Sequence, residues 1–150
     1  MCGCFTRATY DSSINFELMQ NAKGKTQNDN EKRKSDLSYR TYMFSIHTIR
    51  FLKDMPEDHM HQTISNQLIR SATSIGANIV EGKSSSSHKE FVRYLEIALK
   101  SANETKYWLC LLRDGLEAKH ANIKLLLGEV EELSRMLGAS IITLKGKRKL

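Results

Sequence analysis

An unbroken heptad pattern in the second half of the chain constrains the fold more than any other feature of the sequence. Apolar or small side chains recur there at intervals of four and three residues, at Phe91, Leu95, Ala98, Ala102, Thr105, Leu109, Leu112 and Leu116. Residues at this spacing lie along one side of an α-helix, and at about 1.5 Å per residue the pattern is about 40 Å long. A helix with so long an apolar stripe has to pack against other helices, so the pattern predicts a helical bundle.

Three further segments show helical periodicity, and the single proline, Pro56, separates the first two. No stretch alternates with period two for long enough to predict a sheet. We predict helices at about 37–55, 57–81, 88–114 and 122–144. Because short connections make consecutive helices antiparallel, the predicted fold class is an all-α, up-down-up-down four-helix bundle over residues 36–144. Residues 1–35 are predicted to be a polar, disordered extension, and residues 145–150 a short basic tail.

Local signals mark the predicted helix ends. Asp36 is a plausible N-cap of the first helix, and Gly82 is placed as the residue that follows the second. Ser87 and Glu90 have the spacing of a capping box at the start of the third helix. The first helix is expected to bury one stripe widened by two phenylalanines, namely Tyr42, Ile46, Ile49 and Leu52 with Phe44 and Phe51.

The third helix carries a second stripe beside the heptad pattern, formed by Tyr94, Ile97, Ser101, Trp108 and Leu111. One interpretation is a wide face that is buried within a single subunit, as in many globular helices. The other is that one stripe fills the core while the second meets a neighbouring subunit. The sequence leaves both interpretations open.

The net charge of +6 is concentrated outside the predicted bundle. Residues 1–35 contribute +2 and residues 145–150 contribute +4, whereas residues 36–144 hold equal numbers of acidic and basic side chains. A dedicated basic groove on the bundle is therefore not expected. The tail residues Lys145, Lys147, Arg148 and Lys149 are the predicted nucleic-acid-binding site. They are expected to contact phosphates and not bases, because the tail has no aromatic side chain. A merely solubilising tail is the alternative.

Hydropathy and cysteine content also indicate the cellular compartment. No run of about 18 apolar residues predicts a membrane span, and the first residues lack a secretory pattern. Three cysteines, two of them near the N-terminus, do not form a disulfide framework. We therefore expect a cytoplasmic protein without membrane association.

The sequence contains no pattern typical of an active site. A glycine-rich phosphate loop and a nucleophile-elbow motif are both missing. Glu117 and His120 have the spacing of a di-iron ligand pair, but no second pair accompanies them. We expect no enzymatic activity, no catalytic residue, no metal and no cofactor.

The middle of the chain resembles a known family. The segment at 67–82 reads QLIRSATSIGANIVEG, and KEF at 89–91 and IALKSANETKYWL at 97–109 follow it. Together they resemble the 23S rRNA intervening-sequence protein family, which includes the accessory variability determinants of diversity-generating retroelements. The resemblance covers residues 36–144 and implies an up-down-up-down bundle that assembles as a ring-like homopentamer. It also implies that retroelement members bind nucleic acid and partner a reverse transcriptase.

The resemblance implies structural roles and no reaction for the positions that match the motif. Interhelical hydrogen bonds, ion pairs or contacts between subunits are expected for Arg70, Ser74, Asn78, Glu81, Glu90, Arg93 and Glu104. Trp108 is expected to support assembly.

Two functions are therefore predicted. The first is a non-enzymatic, homo-oligomeric accessory protein that binds RNA or DNA through phosphate contacts, beside a reverse transcriptase or on structured RNA. The second is a structural or protein-interaction bundle that does not bind nucleic acid.

Overall fold

The computed structural model describes residues 36–116 and 121–146, which contain four α-helices and no strand. The helices are α1 (Leu37–Lys53), α2 (His59–Lys83), α3 (His88–Gly115) and α4 (Ala121–Gly146). The predicted all-α fold with four helices is confirmed. The predicted extension at 1–35 and the tail beyond residue 146 lie outside the described residues.

Aspartate side chains cap the first two helices. Asp36 Oδ1 accepts from the Ser38 backbone N–H at 2.9 Å, as the sequence predicts. Asp58 accepts from the backbone N–H groups of Met60 and His61 at 3.0 and 3.1 Å, so α2 begins two residues later than predicted. Both carboxylates satisfy N–H groups that have no partner inside the helix.

Gly82 does not follow α2 as predicted but lies inside it, buried against α3. A Cβ atom on Gly82 would lie 3.0 Å from Tyr94 Cβ and 3.2 Å from Phe91 Cδ2. The glycine is therefore needed for the close approach of two helices and not for a left-handed turn. The C-cap of α2 is Ser84.

The capping box at the start of α3 is present in modified form. The Glu90 backbone N–H donates to Ser87 Oγ at 3.2 Å, as predicted. The Glu90 carboxylate accepts instead from the backbone N–H and hydroxyl of Ser86, at 3.1 and 3.2 Å. The reciprocal half of the motif is thus displaced by one residue toward the α2–α3 turn.

The predicted buried stripe of α1 is wrong at two positions, because Tyr42 and Ile49 are 48% and 43% exposed. The residues that α1 buries most completely are Thr41, Phe44, Thr48 and Phe51. Each buried threonine hydroxyl donates at 2.9 Å to the carbonyl oxygen four residues earlier in the helix. Because these hydroxyls keep a hydrogen bond, their burial costs little.

The heptad seam of α3 faces the core along its whole length. Six of its eight residues are buried, and Phe91 and Leu116 at its two ends pack against the core while partly exposed. Each helix contacts two neighbours, α1 with α2, α2 with α3, α3 with α4 and α4 with α1. These contacts close a four-helix ring around one core.

The order of contacts along the helices agrees with antiparallel neighbours. Between α2 and α3, Ser74 contacts Ser101 near mid-helix, while Gly82 at the end of α2 meets Phe91 near the start of α3. Between α3 and α4, Lys145 pairs with Glu96 and Lys106 pairs with Glu131. In both pairs, later residues of one helix meet earlier residues of the other.

Candidate nucleic-acid interface

The first residue of the basic tail, Lys145, is held against α3. Its Nζ lies 2.6 Å from Glu96 Oε1, with both side chains partly open to solvent. The hydrogen bond from Lys145 lowers the pKa of Glu96 below its usual value, and the charge of the same ammonium adds to the shift. The pair links the last turn of α4 to α3. Lys147, Arg148 and Lys149 lie outside the described residues.

Lys145 and Glu96 form one side of an open depression at the start of α3, with a volume of about 660 Å³. The first two turns of α3 supply the rest, and two of the lining residues are the cations Lys89 and Arg93. The structure therefore brings Arg93, a motif residue, close to Lys145, the first residue of the predicted tail. Lys89 was not predicted as a site residue, although its spacing of four from Arg93 places both on one face of the helix.

Two other motif residues belong to a polar seam between α2 and α3. Ser74 Oγ lies 3.0 Å from Ser101 Oγ across the interface. Asn78 Nδ2 donates to the Ser74 carbonyl oxygen at 2.7 Å and to Ser74 Oγ at 3.0 Å. Ser74 is thereby tied both to its own helix and to α3.

A second link lies one turn away. Thr105 Oγ1 donates to the Ser101 carbonyl oxygen at 2.8 Å and lies 3.0 Å from Ser71 Oγ, and both side chains are buried. Among the described residues, no buried side-chain nitrogen or oxygen lacks a hydrogen-bond partner. Ser71 and Thr105 were not predicted as polar partners. The sequence signals were the small side chains on this face of α2 for Ser71 and the place of Thr105 in the heptad seam of α3.

The remaining motif residues lie toward solvent. Arg70, Glu81 and Arg93 are exposed and make no salt bridge inside the described ranges. Glu104 accepts a hydrogen bond from Trp108 Nε1 at 3.3 Å. These placements leave the three charged residues free for intermolecular contacts.

Part of the second stripe of α3 packs against α2 within the subunit. Ser101 is buried against α2, and Tyr94 packs against Gly82, which also belongs to α2. Trp108 and Leu111 are only partly buried, although both pack against the core. The wide-face interpretation therefore accounts for the first half of the stripe.

A broader depression of about 770 Å³ lies between α1 and α4. Arg40 bridges its rim, with Nη2 2.9 Å from Glu129 Oε1 and Nη1 3.9 Å from Glu132 Oε1. Its lining is largely apolar and includes Leu125, which is 71% exposed. We refer to this depression as the α1–α4 groove.

Neither a metal site nor a membrane span is found in the part of the chain that the structure describes. No group of three or more His, Cys, Asp or Glu side chains there is arranged to hold a metal ion. No helix there combines the length and hydropathy of a membrane-spanning segment.

Comparison with known proteins identifies the family. The profile of the 23S rRNA-intervening sequence proteins matches residues 33–139. The chain is also similar to a crystal structure of a protein of unknown function from the S23 ribosomal protein family of Bacteroides thetaiotaomicron. The two share 31% sequence identity and superpose with a TM-score of 0.66, over 71% of this chain and 98% of that one. No curated protein matches the sequence. The profile match covers most of the bundle together with its motif, and the chain therefore belongs to the 23S rRNA-intervening sequence protein family.

Proposed function

We propose that the protein is a non-enzymatic, homo-oligomeric accessory protein that binds RNA or DNA through its basic C-terminal residues. The observation that carries the proposal is the concentration of four cations, with no acidic side chain, in residues 145–150 directly after a bundle that is otherwise neutral. Cations are also favourable at the end of a helix, because the partial negative charge of the helix dipole lies there. Each phosphate they neutralise adds affinity that depends on salt and not on sequence.

Assembly would make a weak tail effective. Four charges alone give weak binding, but five tails on one pentameric ring present about 20 charges to the same strand, and such linked contacts add avidity.

The partners proposed are a retroelement reverse transcriptase or a structured RNA, in the cytoplasm. The family match supports a link to rRNA insertions through the family's name. The link to a reverse transcriptase depends on the resemblance of the motif at 67–109 to accessory variability determinants.

The proposal is tested by fluorescence-anisotropy titration of a structured RNA and a duplex DNA with the full chain, at several salt concentrations. One variant replaces the four tail cations, Lys145, Lys147, Arg148 and Lys149, by glutamine. A matched control replaces Lys23, Lys25, Lys32 and Lys34, which removes the same charge from the other end. We expect the affinity of the unmodified protein to fall steeply with salt, by about 0.7 to 0.9 in the logarithmic slope for each phosphate contact. The tail variant should lose this dependence, and the control should keep it. Equal loss in the two variants would contradict a role specific to the tail.

A second candidate function is a protein-interaction bundle without nucleic-acid binding. The α1–α4 groove favours it, because an apolar depression with a largely exposed leucine is typical of a protein-binding surface. If the full chain binds neither probe at low salt, this candidate replaces the first.

A further inference from the structure

The solvent-facing side of α3 carries a row of side chains that packing within the subunit does not explain. Lys89, Arg93, Lys100, Asn103 and Tyr107 follow one another at intervals of four, seven, three and four residues, and all five are exposed. Such intervals keep them on one side of the helix, opposite the seam in the core. At about 1.5 Å per residue this α3 row is about 27 Å long.

Cations dominate the α3 row. Within the described ranges, Lys89, Arg93 and Lys100 make no salt bridge. Three carboxylates accompany them. Glu96 lies between Arg93 and Lys100 on the same side of the helix and is paired with Lys145, Glu90 lines the same depression as Lys89 and Arg93, and Glu104 follows Lys100 by one turn. Counting Lys145, four cations accompany three carboxylates, a net charge of +1. The neutral total of the bundle therefore conceals a positive side.

Tyr107 adds an exposed aromatic ring at one end of the α3 row. It is 59% exposed, and its ring centroid lies 5.0 Å from that of Trp108 at an interplanar angle of 72°. Trp108 packs against the core and so supports the tyrosine at an edge-to-face contact. A supported, exposed ring near several cations is the combination with which proteins bind single-stranded nucleic acid, whose bases stack on the ring while cations follow the backbone.

We propose that the α3 row binds single-stranded RNA or DNA, with Lys89, Arg93 and Lys100 contacting successive phosphates and Tyr107 stacking on an unpaired base. A duplex keeps its bases stacked inside the helix, so only a single strand can offer one to Tyr107. The inference rests on the nucleic-acid binding proposed above and extends it from the tail to the bundle. Lys145 lies beside the row through its contact with Glu96, so one strand can contact both the row and this first residue of the tail.

The test compares two charge-matched triple variants of the full chain. One carries Lys89→Gln, Arg93→Gln and Lys100→Gln. The control carries Arg50→Gln, Lys53→Gln and Lys124→Gln, which are also exposed and also make no salt bridge inside the described ranges. The probes are a fluorescent 20-nucleotide oligouridine and a 20-base-pair duplex.

We expect the row variant to bind oligouridine at least tenfold more weakly and its logarithmic salt slope to fall by about 2, from about 0.7 for each of three phosphates. The control should stay within about twofold of the unmodified protein. Tyr107→Ala should weaken oligouridine binding about tenfold, whereas Tyr107→Phe should keep it, because the stacking ring remains. Neither tyrosine change should alter duplex binding.

Each contrary result identifies what fails. If the unmodified protein binds neither probe, the proposed function fails and the α3 row proposal with it. If it binds but the row variant matches its control, the α3 row proposal is overturned while tail binding stands. If the duplex suffers the same loss and Tyr107→Ala has no effect, the assignment to single strands is overturned. Unchanged thermal midpoints will confirm that all variants fold.

Discussion

Gly82 of α2 and Tyr94 of α3 lie so close that a Cβ on the glycine would be 3.0 Å from the Tyr94 Cβ. The tyrosine atom in this contact is the one next to its backbone, so it cannot move aside by a change of rotamer. On the other side, the Phe91 ring would lie 3.2 Å from the same Cβ, measured to Cδ2. The end of α2 is thus in direct contact with the first turns of α3, which bear Lys89 and Arg93.

The substitution Gly82→Ala should destabilise the bundle. Forcing one extra methyl into a closely packed contact costs about 1–3 kcal/mol, which here exceeds the gain of about 1 kcal/mol from replacing a helical glycine by alanine. Thermal or urea unfolding of the full chain measures the difference. Gly128→Ala in α4 is the matched control, since nothing lies within 4 Å of its Cβ position. That change should stabilise the protein, and equal effects of the two changes would contradict the close-approach explanation.

The hydrogen bond between Ser74 and Ser101 predicts a coupled loss of stability. Removing one hydroxyl leaves the other partly unsatisfied at a partly buried contact, which costs about 1–3 kcal/mol. Removing both leaves no unpaired hydroxyl, so Ser74→Ala with Ser101→Ala should cost less than the two single changes together. A double-mutant cycle from urea unfolding should give a coupling energy of about 1 kcal/mol. Strict additivity would show that the 3.0 Å contact does not contribute to stability.

The seam of α3 could be predicted because apolar or small residues repeat there with a strict helical period. The buried face of α1 could not, because two of its residues, Thr41 and Thr48, are polar by composition. Their hydroxyls donate to the backbone of the same helix, so packing around Phe44 and Phe51 determines the face. Gly82 was misplaced for a similar reason, because only the neighbouring helix shows that the position lacks room for a side chain.

Charge was the other property that the sequence concealed. Counting charges over residues 36–144 gives zero, which argues against a basic surface. In the folded chain, Glu129 of α4 pairs with Arg40, and Glu132 of α4 pairs with Arg135. Neither pair involves a residue of α3. Spacing along α3 places Lys89, Arg93 and Lys100 on one face, whereas the packing of the helices determines that this face stays exposed.

Trp108→Ala should lower both stability and the extent of assembly. The indole packs against the core and supports the Tyr107 ring, and truncating a large aromatic side chain removes apolar contacts worth about 3 kcal/mol or more when fully buried. Since Trp108 is only partly buried, we expect a loss of about 2 kcal/mol. Trp108→Phe should retain most of the stability and assembly of the unmodified protein. Thermal unfolding and light scattering after size-exclusion chromatography measure the two effects, and an unchanged midpoint and mass would contradict them.

The lowered pKa of Glu96 predicts a pH-dependent contribution to stability. Because its pKa is lower in the folded state than in the unfolded state, the carboxylate stabilises the fold above the unfolded pKa. That contribution is lost as the pH falls through the folded pKa. The thermal midpoint of Glu96→Gln should therefore lie below that of the unmodified protein at pH 7, and the gap should close in strong acid. A gap that persists at low pH would assign the effect to packing and not to charge.

The same substitution should strengthen nucleic-acid binding. Glu96→Gln removes a negative charge beside the α3 row and releases Lys145, so the affinity for oligouridine should rise and the salt slope should steepen by about 0.7. Glu131→Gln is a matched control, because it releases Lys106 from an ion pair that also measures 2.6 Å. Lys106 pairs with α4 and is not one of the five residues of the α3 row. If binding depends on where the charge lies, only Glu96→Gln will tighten it. An equal gain in both variants would mean that net charge alone attracts the strand.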